Sequence, residues 1–105
     1  MNTDISTADL LKQFEKINVP DERAFCFSRY DKAGLRETTL EDHFADIARF
    51  HLSANVPREV TIQYETAKNI YLYAWYVYRF YPVAEQQALA SLEMGLRQRL
   101  PASLP

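Results

Sequence analysis

Apolar residues recur at spacings of three and four along most of this chain, which is the pattern of helices that cover a core. The pattern predicts four helices, at residues 7–18, 39–53, 58–80 and 83–100, and a short helix near 21–29. Glycine is scarce, and the hairpin dipeptides Asn-Gly and Asp-Gly are absent. The sequence therefore predicts an all-α fold, a small bundle in one domain that spans residues 1–105, with a turn at 31–34.

Polar residues at the predicted helix ends support these boundaries. Ser6 or Thr7 is placed to cap the first helix, and Thr38 or Thr39 the second, because a hydroxyl accepts hydrogen bonds from the free N–H groups of a first turn. Pro82 is expected to break the third helix and to begin a fresh one, since proline cannot continue the hydrogen-bond ladder.

Three of the helices carry one apolar stripe, which we expect to face the core. The stripes consist of Leu10, Leu11, Phe14 and Ile17 in the first helix, of Leu40, Phe44 and Ile47 with Phe50 or His51 in the second, and of Leu89, Leu92, Leu96 and Leu100 in the last. Glu85 continues the last stripe one turn earlier. We therefore expect a partly buried carboxylate that pairs with Lys68 or Arg79.

The segment 70–81, with the sequence IYLYAWYVYRFY, is unusually rich in tyrosine. At 100° per residue its large side chains point all round a helix, so we predict a central helix that is mostly covered by the others. Five tyrosine hydroxyls are hard to satisfy in one small core, and Tyr and Trp are enriched at the centres of protein interfaces. We therefore predict a partner-binding stripe, which consists of Tyr64, Lys68, Tyr71, Trp75 and Tyr78.

Composition narrows the classes of partner. The formal net charge of −2 and the pI of about 5.6 disfavour a protein that grips nucleic-acid backbones, so base stacking beside Arg79 and a membrane-interface role rank below protein contact. The longest strongly apolar run is about 12 residues, short of the ~20 that cross a bilayer. The single cysteine, Cys26, and the absence of a leader pattern favour a cytoplasmic protein with a buried, inert thiol.

Arg36 and His43 are separated by six residues, which resembles the Arg-x(4-6)-His pattern of the HEPN superfamily of small helical domains, many of them ribonucleases. The resemblance implies a histidine that acts as acid or base on a ribose hydroxyl and an arginine that steadies the phosphate. The residues alone equally allow an exposed Arg36, with His43 beside Asp42 on a helix surface. His43 and His51 lie eight residues apart, about 12 Å along a helix, so we predict no metal site and no cofactor.

The last part of the chain resembles uncharacterised bacterial proteins, through AKNIYLYAWYVYRF at 67–80, VAEQQA at 83–88 and LEMGLR at 92–97. The resemblance implies an all-helical bacterial domain, either a short member or a fragment of a longer protein, and attaches no activity to it. The leading prediction is a non-enzymatic domain for protein interaction or self-association that makes contact through its Tyr-rich helix. The alternative is an HEPN-like ribonuclease or nucleotide-binding domain that uses Arg36 and His43.

Overall fold

The computed structural model describes residues 4–26 and 28–99, which form a helical hairpin with one further α-helix, a small sheet and three short 3₁₀ helices. The 3₁₀ helices are Thr7–Asp9, Phe14–Lys16 and Glu22–Cys26; the strands are β1 (Ser28–Asp31) and β2 (Gly34–Glu37); the α-helices are α1 (Leu40–Ala48), α2 (Arg58–Tyr73) and α3 (Phe80–Arg99). The prediction of an all-α bundle of four helices is therefore wrong. The predicted tail at 101–105 and the thiol of Cys26 lie outside the described part of the chain.

The sheet is an antiparallel hairpin of β1 and β2, in which Ser28 pairs with Glu37 and Asp31 with Gly34. The turn stands where the sequence predicts it, since the Asp31 carboxylate accepts from the N–H of Ala33 at 2.9 Å and Gly34 has a φ of 112°. The predicted helix at 21–29 covers instead a 3₁₀ helix followed by β1. Apolar periodicity missed the strands because they are four residues long and largely exposed, without apolar alternation.

The first predicted helix, 7–18, is not formed in the chain. Ser6 caps a single 3₁₀ turn there, and the backbone is then extended at Leu10 (ψ 174°) and Gln13 (ψ 147°) before the next turn. An amphipathic helix this short depends on a surface that buries its apolar face, and Leu11 and Phe14 remain 96% and 83% exposed. We refer to residues 4–20 as the N-terminal arm.

Helix α1 begins as predicted and ends earlier. Thr39 is its N-cap, and its hydroxyl and main chain exchange hydrogen bonds with Asp42 in a capping box. The predicted inner face is wrong, because His43 is the buried residue and both Leu40 and Phe44 are exposed. The reason is tertiary: His43 packs on the ring of Tyr71, whereas Leu40 and Phe44 only border Leu72 and Tyr73 at the end of α2 and stay partly open to solvent.

Helices α2 and α3 form an antiparallel hairpin joined by residues 74–79, so the predicted central helix 58–80 is divided. Pro82 stands in the first turn of α3, where no N–H is needed, and its missing donor and its ring prevent a helix that extends much farther back. The aromatic segment 70–81 is thus a corner between two helices, which is why its side chains point in so many directions.

Small residues lie at the contact between the two helices. Ala67 of α2 and Ala84 and Ser91 of α3 are buried, and a Cβ built on Gly95 would lie 3.5 Å from the side chain of Val60. Such residues let two helix backbones approach closely. Because this face of α3 is inward, Leu89, Leu92 and Leu96 are outward, and their predicted burial is wrong. Leu100, the last member of the predicted stripe, lies outside the described residues.

The leucines Leu89, Leu92 and Leu96 are 65%, 49% and 66% exposed, and we call them the outer stripe of α3. The accessible surface of the chain is 8613 Å², against about 6,100 Å² expected for a compact monomer of 12.3 kDa. The radius of gyration is 17.8 Å, against about 13 Å expected. The fold therefore leaves much of its apolar surface uncovered.

Candidate functional site

A mainly apolar groove of about 370 Å³ runs between α2 and α3, with one side chain of α1 at its edge. Its lining consists of Ile47, Tyr64, Ala67, Lys68, Tyr71, Tyr81, Ala84, Glu85 and Ala88. Three of the five residues of the predicted partner-binding stripe are thus present, namely Tyr64, Lys68 and Tyr71. The groove also contains Glu85, which the sequence analysis assigned to a buried ion pair.

The charged residues of the groove do not pair with each other. Lys68 binds Glu65, with 3.0 Å between Nζ and Oε2, and Glu85 is exposed and makes no ion pair among the described residues. Arg79, the other predicted partner of Glu85, binds Asp9 at 3.2 Å. The predicted ion pair of Glu85 is therefore wrong, because Ala84 and not Glu85 occupies the inward position of that helical turn.

A stacked aromatic cluster supports the groove from behind. The imidazole of His43 lies on the ring of Tyr71, with centroids 4.7 Å apart and planes 13° apart, and the edge of Tyr81 approaches it at 6.0 Å. The Nε2–H of His43 donates to the main-chain carbonyl of Tyr71 at 2.9 Å. Burial raises the pKa of Tyr81 to about 12. These contacts orient Tyr71 and Tyr81, two of the three tyrosines that line the groove.

Trp75 belongs to this interior cluster and not to a surface stripe. Its side chain is 4% exposed and its ring lies 5.5 Å from that of His43. The predicted role of Trp75 at a contact surface is therefore corrected: helix α2 ends at Tyr73, and the main chain then turns the indole inward. Periodicity placed it on the stripe because it assumed one uninterrupted helix.

Tyr78, the last residue of the predicted stripe, is in contact with the segment that precedes the sheet. The guanidinium of Arg23 lies 4.4 Å above the Tyr78 ring, and the buried carboxylate of Asp21 accepts from Arg23 at 2.8 Å and from the N–H of Tyr78 at 3.4 Å. The N–H of Asp21 in turn donates to the carbonyl of Trp75 at 3.0 Å. The second half of the predicted stripe is thus used in contacts within the chain.

Arg36 and His43, the residues of the HEPN-like pattern, face different partners. Arg36 binds Asp42 at 2.5 Å and Asp31 at 2.6 Å, and its hydrogen bonds hold the pKa of the Asp42 carboxyl well below its usual range. His43 is buried, so its expected place on a helix surface is wrong. Neither residue lines the groove, and the structure does not bring guanidinium and imidazole together at an open cleft.

The outer stripe of α3 continues the groove. Leu92 follows Ala88 by one helical turn and lies on the same side of α3, and Leu89 and Leu96 flank it at three and four residues. The groove and the stripe together form one apolar surface along the hairpin. The spacing of the leucines predicts the stripe but not its exposure, because an apolar stripe ordinarily faces the core.

Comparisons with protein-family models, with curated proteins and with solved structures find no match for this chain. The resemblance of residues 67–97 to bacterial proteins stays a prediction. Within residues 4–26 and 28–99, no helix has the length and apolar character to cross a bilayer, and no group of three or more His, Cys, Asp or Glu is arranged for a metal ion. The candidate function rests on the groove and the stripe.

Proposed function

We propose that this chain is a self-associating helical domain, whose copies contact each other through the groove and the outer stripe of α3. The observation that carries the proposal is the uncovered surface, which exceeds that of a compact monomer by about 2,500 Å². Homodimer interfaces bury about 2,000–5,000 Å² in total, half of it from each partner. One such interface therefore covers about 1,000–2,500 Å² of each chain, which is a substantial part of the excess.

The side chains of the groove suit a protein partner. Tyr64 and Tyr71 combine an apolar ring with a hydroxyl that tolerates water, and the long aliphatic stem of Lys68 covers apolar surface while its charge stays at the rim. Residues of this kind are enriched where protein surfaces meet, and the small side chains Ala84 and Ala88 leave room between them.

A second copy of the chain suits this surface because the surface is self-complementary. The groove carries one cation, Lys68, and one carboxylate, Glu85, so a two-fold arrangement that places Lys68 of one copy opposite Glu85 of the other pairs opposite charges twice. The leucines of α3 likewise meet identical leucines or other apolar side chains. A net charge of only −2 per copy gives little repulsion between them.

Sedimentation or light scattering across a concentration series tests the proposal. We expect the wild-type chain to form dimers, and Leu92→Glu to raise the dimer Kd about 100-fold, because each of two equivalent sites loses about 1.4 kcal/mol of apolar burial. Leu35→Glu, at an exposed leucine of β2, is the matched control and leaves the Kd unchanged. A wild-type chain that stays monomeric at the highest concentration contradicts the proposal.

A further inference from the structure

We infer that, in the dimer, the N-terminal arm of each copy folds into an α-helix that packs on the outer stripe of α3 of its partner. The inference rests on the proposed self-association and names the segment that covers the stripe. Four apolar side chains of the arm are exposed within a stretch of eight residues. They are Leu10 (52%), Leu11 (96%), Phe14 (83%) and Ile17 (50%).

The arm has the apolar spacing of a helix and the backbone of an irregular segment. Leu10, Phe14 and Ile17 fall on one face at 100° per residue, whereas the backbone is extended at Leu10 and Gln13. In natural proteins the conformation that the local sequence favours rarely conflicts with the folded structure, unless the conflict serves a function. A short amphipathic helix is marginal in water and gains its stability from an apolar surface that covers it. Tyr76 and Val77 of the corner border the arm beside Leu10 and Leu11, but they leave all four apolar side chains of the arm at least half exposed.

The start of the missing helix is already in place. The hydroxyl of Ser6 accepts from the N–H of Ala8 at 3.3 Å, as it does at a helix N-cap, and Asp9 occupies the third position after it, which is the position of a capping box. A helix can therefore extend from the existing turn at Thr7–Asp9 without a change of cap. Only the residues that follow Asp9 have to change their backbone conformation.

The arm and the stripe match in length and spacing. Leu10 and Ile17 are seven residues apart, as are Leu89 and Leu96, so each apolar row is about 10 Å long on a helix. Each row has a third member between its ends, Phe14 or Leu92, so the two rows can interdigitate as neighbouring helices do. Every copy carries one arm and one stripe. Two copies therefore make two equivalent contacts and leave neither row uncovered.

The arm of the same chain is poorly placed to cover its own stripe. The arm is held near the corner at 74–79 at two points: Asp9 binds Arg79, and the N–H of Asp21, the residue that follows the arm, donates to the carbonyl of Trp75. Leu96 lies 17 residues beyond Arg79, about 25 Å farther along α3. A partner in antiparallel orientation brings its own corner, and with it its own arm, to that end of α3.

Gln13→Pro tests the helical conformation of the arm. Gln13 has a φ of −70°, which proline accepts, and it stands between the two 3₁₀ turns, so the variant fits the conformation seen in the chain. A helix over residues 7–18 does not accept proline at that position. We expect Gln13→Pro to raise the dimer Kd at least tenfold and to abolish the gain in helical circular dichroism on dimerisation. Gln13→Ala, the matched control, retains both.

A mixing experiment tests which surfaces meet. Phe14→Glu damages the arm and Leu92→Glu damages the stripe, and we expect each variant alone to be monomeric at a concentration where the wild type is dimeric. Mixed in equal amounts, they should form heterodimers, because the intact arm of the Leu92→Glu chain meets the intact stripe of the Phe14→Glu chain. Native mass spectrometry distinguishes these from homodimers.

The outcomes separate this inference from the proposed function. If the wild type dimerises while Gln13→Pro dimerises equally well, or while the mixed variants give no heterodimer, the arm does not pack on the stripe as a helix and self-association stands. If the wild type is monomeric at every concentration, both are overturned.

Discussion

Asp21 is one of the residues through which the first quarter of the chain contacts the corner at 74–79. Its side chain is 4% exposed, and its carboxylate accepts hydrogen bonds from Arg23 and from the N–H of Tyr78. Hydrogen bonds from Arg23 lower the pKa of Asp21 from 3.8 to about 2. A buried carboxylate with these partners stabilises the folded chain only while it is charged.

The pH dependence of stability follows from this shift. Because the pKa of Asp21 is lower in the folded chain than in the unfolded one, its contribution of about 2 kcal/mol is complete above about pH 4 and is lost as the pH falls toward 2. We expect Asp21→Asn to lower the free energy of unfolding by that amount at pH 7 and to flatten its decline between pH 4 and 2. Urea denaturation at several pH values measures both.

The neighbouring exposed carboxylate offers a control for this prediction. Glu22→Gln removes one negative charge one residue away, at a side chain on the surface. It should leave the free energy of unfolding at pH 7 close to that of the wild type. An equal loss in both variants contradicts a specific role for the Asp21 carboxylate.

Single residues also show how far the sequence predicts the candidate site. Tyr64, Lys68 and Tyr71 fall in one groove because they share a face of α2 for almost two turns, and helical periodicity is sufficient to predict this. Trp75 and Tyr78 follow the end of that helix, and the contacts with His43 and Asp21 that orient them come from distant parts of the sequence. Periodicity contains no information about such contacts.

At the scale of elements, the local sequence pattern predicts the bounds of α3 but not which of its faces is buried. Its predicted range of 83–100 agrees closely with Phe80–Arg99, since Pro82 and the leucine spacing are local signals. The choice of inward face is not local. It depends on which face of α2 is available, and α2 offers Val60 and Ala67, against which the small residues of α3 pack.

Substitution of Gly95 by alanine tests the packing of α3 on α2, and the same substitution at Gly34, in the turn between β1 and β2, is the control. A methyl group at Gly95 makes an ordinary contact with Val60, at 3.5 Å, so Gly95→Ala should raise the free energy of unfolding by about 1 kcal/mol through its helix propensity. Gly34 has a positive φ, so Gly34→Ala should lower it by about 1 kcal/mol. Chemical denaturation compares the two. A loss of stability in Gly95→Ala contradicts the packing described for the hairpin.

At the scale of the whole molecule, the chain is a scaffold with more apolar surface than it covers. Its dimensions are 53 × 49 × 21 Å, and the buried apolar residues among those described are mostly small. Four of them are alanines, at positions 24, 67, 74 and 84. A core of small residues removes little apolar surface from water, so binding of a second copy should add to the stability of the fold.

Thermal unfolding should therefore depend on protein concentration. A 100-fold increase in concentration favours a dimer by about 2.7 kcal/mol, which for two chains of this size corresponds to a rise in Tm of about 5 °C. Leu92→Glu should have a lower Tm that does not change with concentration. Scanning calorimetry at three concentrations measures this, and a constant Tm for the wild type speaks against an interface that stabilises the fold.

The sequence by itself determined the capped start of α1, the turn at residues 31–34, the start of α2 at residue 58, a last helix close to Phe80–Arg99 and the grouping of three groove residues. These features depend on neighbours within a few positions, through hydrogen bonds, proline geometry and helical spacing. Only the tertiary structure decided that residues 28–37 form a hairpin, that residues 7–18 are not helical and that the leucines of α3 face outward. Each of those outcomes depends on which distant surface is available to bury a side chain, and an amphipathic pattern is the same whether that surface belongs to the same chain or to another molecule.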